Sequence, residues 1–108
     1  MNKSILAIAA VAALIATPVA ATRQSVAQYL DNCKSDERDC TMIAYNLIYA
    51  GQNARYLCLP KSVSLDDAAA RQVAWLRQHV LDHPRFASED LEDAQWTAAE
   101  ALWPCAKG

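Results

Sequence analysis

The chain has 108 residues, twelve acidic against ten basic, for a formal net charge of −2. It has no Lys/Arg block and no interleaving of aromatic with basic residues, which argues against nucleic acid as a partner. Its length admits one small domain, of a size that core burial alone stabilises only marginally.

Met1-Asn2-Lys3 precedes an uncharged run from Ile5 to Ala16, then Pro18 and the small residues Val19, Ala20 and Ala21. A positive start, a short apolar run and small residues at a cut site predict a secretory signal peptide over 1–21, cleaved after Ala21. The run is short for a bilayer span, so no membrane association is expected after cleavage. Residues 22–108 are the expected mature domain, where loss of Lys3 leaves nine basic against twelve acidic residues.

All four cysteines, Cys33, Cys40, Cys58 and Cys105, fall in that part. An even number in an exported chain predicts disulfides. Three pairings are possible, and the favoured one joins Cys33 to Cys40 and Cys58 to Cys105. In the chain-entropy picture the larger ring contributes about 4 kcal/mol and the smaller about 2.5 kcal/mol.

Thr22 to Cys33 reads as a first helix, with Val26, Tyr29, Leu30 and Cys33 on one face. The polar stretch Lys34 to Asp39 reads as a turn. Were the helix to continue, the Cα atoms of Cys33 and Cys40 would stand about 10 Å apart. A disulfide spans at most about 7 Å.

From about Asp39 a second helix is expected to turn Ile43, Leu47, Ala50, Ala54 and Leu57 inward, with Tyr45, Tyr49 and Tyr56 to one side. Gly51 lowers helix propensity and so suggests close packing there. Pro60 prevents easy continuation. Ser64 then reads as the N-cap of a third helix, with Asp66 and Asp67 at the positive end of its dipole. That helix runs from Leu65 to about Asp82 with Leu65, Ala69, Val73, Leu76 and Val80 inward, and His83-Pro84 ends it. Ser88 is expected to cap a fourth helix carrying Glu89 and Asp90 in its first turn. Its stripe is Leu91, Ala94, Ala98 and Leu102, with Trp96 and Trp103 alongside, and Pro104 stops it. No run alternates as a strand does. The expected fold is all-α: a small four-helix, disulfide-stapled bundle of about four to five helices.

Few residues suggest chemistry. His79 and His83 have a spacing that can chelate a metal, but no third ligand is evident, and two histidines near a helix C-terminus also suit its dipole. A cysteine nucleophile is disfavoured, because an oxidised cysteine has no thiolate. The acidic group Glu89, Asp90, Glu92 and Asp93 reads as a solvated face at a helix start. Trp75 lies off the main stripe of the third helix and is the aromatic residue best placed for a contact surface. No cofactor is expected.

In order, Cys33, Cys40, Cys58-Leu59-Pro60, Val63-Ser64-Leu65, His83-Pro84 and Trp103-Pro104-Cys105 resemble the Rap/Tai immunity proteins of type VI secretion systems. The positions carried over are structural: the four cysteines, Pro60, Ser64, Pro84 and Pro104. The resemblance implies a periplasmic helical protein, often dimeric. Such proteins bind a peptidoglycan amidase effector delivered by neighbouring cells and block it. They are not enzymes. Occlusion of a cleft needs only a rigid scaffold presenting a segment that loses little entropy on binding. The candidate segments are Lys34 to Asp39 and His83 to Ser88, and Lys34, Asp36, Glu37, Arg38, Trp75, His83 and Arg85 are the candidate contact residues. A reading from another class is an acid-stress periplasmic chaperone resembling the HdeA group, also small, helical and disulfide-bonded. It would expose apolar surface as carboxylates protonate.

Overall fold

The computed structural model describes residues 23–106. The signal peptide expected over 1–21 lies outside the described residues. Among the described residues four α-helices follow one another: α1 (Val26–Ser35), α2 (Glu37–Asn53), α3 (Leu65–Asp82) and α4 (Leu91–Leu102). A short 3₁₀ helix, Pro84–Ser88, joins α3 to α4. Helix α2 packs most extensively against α3, with α1 laid on α2 and α4 on α3. The disulfides are Cys33–Cys40 and Cys58–Cys105. The chain is a small, disulfide-stapled, all-α bundle.

Helix α1 starts at Val26, later than its composition predicts, because Ser25 builds a reciprocal cap. The Ser25 hydroxyl accepts from Gln28 N at 3.2 Å, and the Gln28 side chain accepts from Ser25 N at 2.9 Å. Two backbone bonds then tie this start to the start of α4: Val26 N donates to Glu89 O (3.1 Å) and Leu91 N to Gln24 O (2.8 Å).

The predicted six-residue turn over Lys34 to Asp39 is a single residue. Lys34 and Ser35 finish α1, Glu37 to Asp39 begin α2, and Asp36 alone is non-helical. Asp36 serves both ends. Its N–H donates to Asn32 O at 3.0 Å, and its carboxylate accepts from Asp39 N at 3.0 Å. That break reverses the chain enough to bring the Cα atoms of Cys33 and Cys40 to 5.4 Å.

In α2 the inner face differs from the expected one. Cys40, Ala44, Ile48 and Gly51 are buried, while Ile43, Ala50 and Ala54 are exposed and Leu47 is half-buried. Both stripes have helical spacing, so periodicity could not choose between them. The Cys33–Cys40 link and the close approach at Gly51 fix which side turns in. Leu57 is buried as expected, but from the loop after the helix.

Arg55 takes the left-handed conformation (φ 65°) that ends α2, and Tyr56 N and Leu57 N both donate to Gly51 O, at 2.8 and 3.2 Å. Cys58 N then donates to Trp103 O at 3.0 Å beside the Cys58–Cys105 bridge, clasping the approach to α3 against the end of α4. Ser64 caps α3 as read from the sequence, accepting from Asp67 N at 3.1 Å. Ser88 does not cap α4. Asp90 takes that place, accepting from Asp93 N at 3.3 Å, with Glu92 and Asp93 in the first turn. The Ser88 hydroxyl instead closes the 3₁₀ turn on Arg85 O at 2.9 Å.

The core holds Val26, Tyr29, Ile48, Leu57, Leu76 and Trp103, together with two buried amides, Gln72 and Gln95. Gln72 Nε2 donates to Gln95 Oε1 at 2.6 Å, joining α3 to α4. The Tyr29 hydroxyl donates to the Cys40 carbonyl, joining α1 to α2. Burial holds the Tyr29 phenol above the usual tyrosine range. The Gln95 side chain and Arg77 offset part of that rise, and Asp39 adds to it.

Candidate interaction surfaces

The first candidate segment is the corner between α1 and α2. Lys34, Asp36, Glu37 and Arg38 are all exposed there, as are Ser35 and Asp39. Lys34 pairs with Asp31 at 3.6 Å across solvent. Asp36 is held by its capping role, and Glu37 and Arg38 project from the first turn of α2. Cys33 and Cys40 close the corner from beneath, both almost fully buried.

The second segment starts where α3 stops. His83 and Arg85 are exposed, while Phe86 and Ala87 are half-buried under the 3₁₀ turn. Trp75 is less available than its position off the stripe suggests. Its ring stacks on His79 at 4.4 Å between centroids and meets the edge of Phe86 at 6.1 Å. His79 in turn packs against His83 at 4.6 Å. The two histidines are therefore members of an aromatic cluster that pins the 3₁₀ turn to α3. Among the described residues no group of three or more His, Cys, Asp or Glu could hold a metal ion.

The two segments do not converge. Glu89, just past the 3₁₀ turn, bonds to Val26 at the start of α1, whereas Asp36 ends that helix. A ten-residue helix puts about 15 Å between them. A partner touching both would have to span α1.

A third surface went unread in the sequence because Ile43 was assigned inward. Met42 is 49% exposed, Ile43 39%, Tyr49 53% and Tyr56 72%. No charged residue occurs between Asp39 and Arg55, although α2 turns more than half of its residues to solvent. That charge gap was the available signal: a helix with one buried face normally carries charge on the other. Beyond the end of α2 a concavity is lined by Tyr56, Trp96, Glu100, Pro104 and Cys105. At the opposite pole of α4, Arg23 and Gln24 line another with Asp90, Leu91, Glu92 and Asp93.

The chain matches no family model, no curated protein and no solved structure.

Proposed function

We propose that the chain is a periplasmic immunity protein of the Rap/Tai kind, which binds a type VI secretion peptidoglycan amidase effector and blocks its active site. The observation that carries this reading is the stapled corner at Asp36. Six consecutive exposed polar residues, Lys34 to Asp39, stand over a disulfide whose two cysteines are almost fully buried. A segment fixed in this way gives up little conformational entropy when it enters a cleft, so most of its contact energy goes into affinity. The second bridge holds the far end of the bundle, and two disulfides suit an oxidising compartment. The Cys58-Leu59-Pro60, Ser64, His83-Pro84 and Pro104-Cys105 positions, each at a helix boundary, support the same reading.

The test is inhibition of purified candidate peptidoglycan amidases, paired with a pull-down from periplasmic extract. Wild-type protein should suppress muropeptide cleavage at near-stoichiometric ratios. Glu37→Lys combined with Arg38→Glu should weaken inhibition at least about tenfold, the scale of a lost interfacial charge contact. Arg85→Glu serves as the matching probe of the second segment. Inhibition untouched by all three reversals would remove both segments from the interface, and absence of inhibition across the amidase panel would remove the reading itself.

A further inference from the structure

We infer that the concavity where the ends of α2 and α4 meet is a seat for an arginine side chain carried by a partner protein. The inference is independent of the amidase reading. The length of α2 sets this place about 25 Å from the stapled corner at Asp36.

Tyr56, Trp96, Glu100, Pro104 and Cys105 line the concavity. The loop leaving α2 supplies Tyr56, the last two turns of α4 supply Trp96 and Glu100, and the chain beyond α4 supplies the rest. The bond from Cys58 N to Trp103 O and the Cys58–Cys105 bridge lock these pieces together. The walls are therefore set before anything binds.

Charge says what they would hold. A helix C-terminus is the negative end of the dipole, and a basic residue in the last turn offsets it. Helix α1 has Lys34 there and α3 has His79, but α2 and α4 have none. Helix α4 instead places Glu100 in its last turn, where its own dipole disfavours an anion. Among the described residues Glu100 forms no ion pair. The Arg55 carbonyl also lies 3.8 Å from Cys105 Sγ, and a disulfide sulfur has no proton to give it. Two uncompensated helix ends, a carboxylate and a carbonyl thus border one concavity.

The aromatic walls choose among cations. Tyr56 is 72% exposed and Trp96 is half-buried. Among the described residues the ring pairs all gather around Trp75 and His79, so neither wall is stacked on another ring. An indole or phenol face attracts a cation. A guanidinium can lie flat on such a face while its N–H fork donates to a carboxylate, which an ammonium cannot do. The seat is also too open to enclose a small molecule, whose sites cover most of the ligand. A side chain projecting from a protein surface needs only these walls and the Glu100 anchor.

The probe is the tripeptide acetyl-Gly-Arg-Gly-amide, titrated into the full protein while NMR follows the three indole N–H signals. The Trp96 signal should shift and saturate in the millimolar range, with those of Trp75 and Trp103 unmoved. Glu100→Gln should weaken binding at least about fivefold, as loss of a charge-assisted pair would. Tyr56→Ala should weaken it about threefold, the scale of an exposed cation–π contact. Circular dichroism should be unchanged in both variants. The lysine tripeptide should bind more weakly, and the neutral citrulline tripeptide should not bind.

Equal binding of the citrulline peptide would overturn the proposal, as would an unmoved Trp96 signal at tens of millimolar. Binding indifferent to both Glu100→Gln and Tyr56→Ala would do the same. Free arginine binding more tightly than the peptide would make this a small-molecule site instead. A gain of about tenfold in peptide affinity from Lys107→Ala or Arg55→Ala would give the seat to the chain's own cation, acting at high effective concentration.

Discussion

Gly51 and Leu57 approach so closely that a Cβ on Gly51 would stand 2.6 Å from Leu57 Cδ1 and 2.8 Å from Leu57 Cγ, with Trp96 at 3.2 Å. The glycine lets the end of α2, the returning loop and α4 share one point. Gly51→Ala gains helix propensity of about 1 kcal/mol. It also forces the branched Leu57 side chain out of its seat, an overpacking cost of about 1–3 kcal/mol. Steric cost should win, because Leu57 is almost fully buried and has little room to give. Urea unfolding should show a net loss of about 1–2 kcal/mol, whereas a gain would mean the loop shifts freely.

The two disulfides should differ in weight. Cys58–Cys105 spans 47 positions and Cys33–Cys40 only seven. Constraint of the unfolded chain grows with ring size, so replacing the first pair by alanine should cost about 4 kcal/mol and the second about 2.5 kcal/mol. Denaturant midpoints of the two double variants would rank them. The reverse order would point to packing around the buried Cys33 and Cys40, not chain entropy, as the larger effect.

Alkaline pH should loosen the fold through Tyr29. Its folded-state pKa lies above the usual tyrosine range, chiefly through burial, so the native state favours the neutral phenol. The stabilisation is complete below pH of about 10 and is lost as pH rises toward the folded pKa, because the unfolded chain ionises first. Unfolding free energy measured from pH 8 to 11 should fall at the upper end. Tyr29→Phe should flatten that fall while costing about 1 kcal/mol at neutral pH, through the lost bond to the Cys40 carbonyl. An unchanged alkaline slope would show that other groups carry it.

The Gln72–Gln95 pair should show strong coupling. Gln72 Oε1 and Gln95 Nε2 are buried without a hydrogen-bond partner among the described residues, so only two of the pair's four polar atoms are engaged. Gln95→Met alone strands the Gln72 amide and should cost about 1–3 kcal/mol. The double change Gln72→Met/Gln95→Met removes the stranded groups and should cost less than either single change. A double-mutant cycle measures this, and additive losses would show that the two amides act separately.

Much of this fold was readable in the sequence because it is punctuated. Ser64, Pro60, His83-Pro84 and Pro104 each mark a boundary by local chemistry, and α3 lies between its expected ends. Where two local signals competed, the reading slipped. Ser88 and Asp90 are both good caps, and the choice fell to Asp90 once Ser25 and Gln24 paired with it and with Leu91. The inner face of α2 was ambiguous because apolar residues surround that helix, and a tertiary contact at Gly51 decided it. Gln72 and Gln95 were missed, since an apolar pattern passes over buried amides. Of the candidate surfaces, the exposure of Lys34 to Asp39 followed from polarity. Its separation from Arg85 did not, because it depends on the bond between Val26 and Glu89.

Among the described residues the one ion pair is Lys34 with Asp31, and both side chains are largely in water. Such a pair adds little, and salt screens what it adds. The architecture therefore rests on packed carbon and covalent sulfur, which should make it nearly indifferent to ionic strength. Its other surface carboxylates and guanidinium groups enter an encounter uncommitted to one another, at liberty to be matched by whatever arrives.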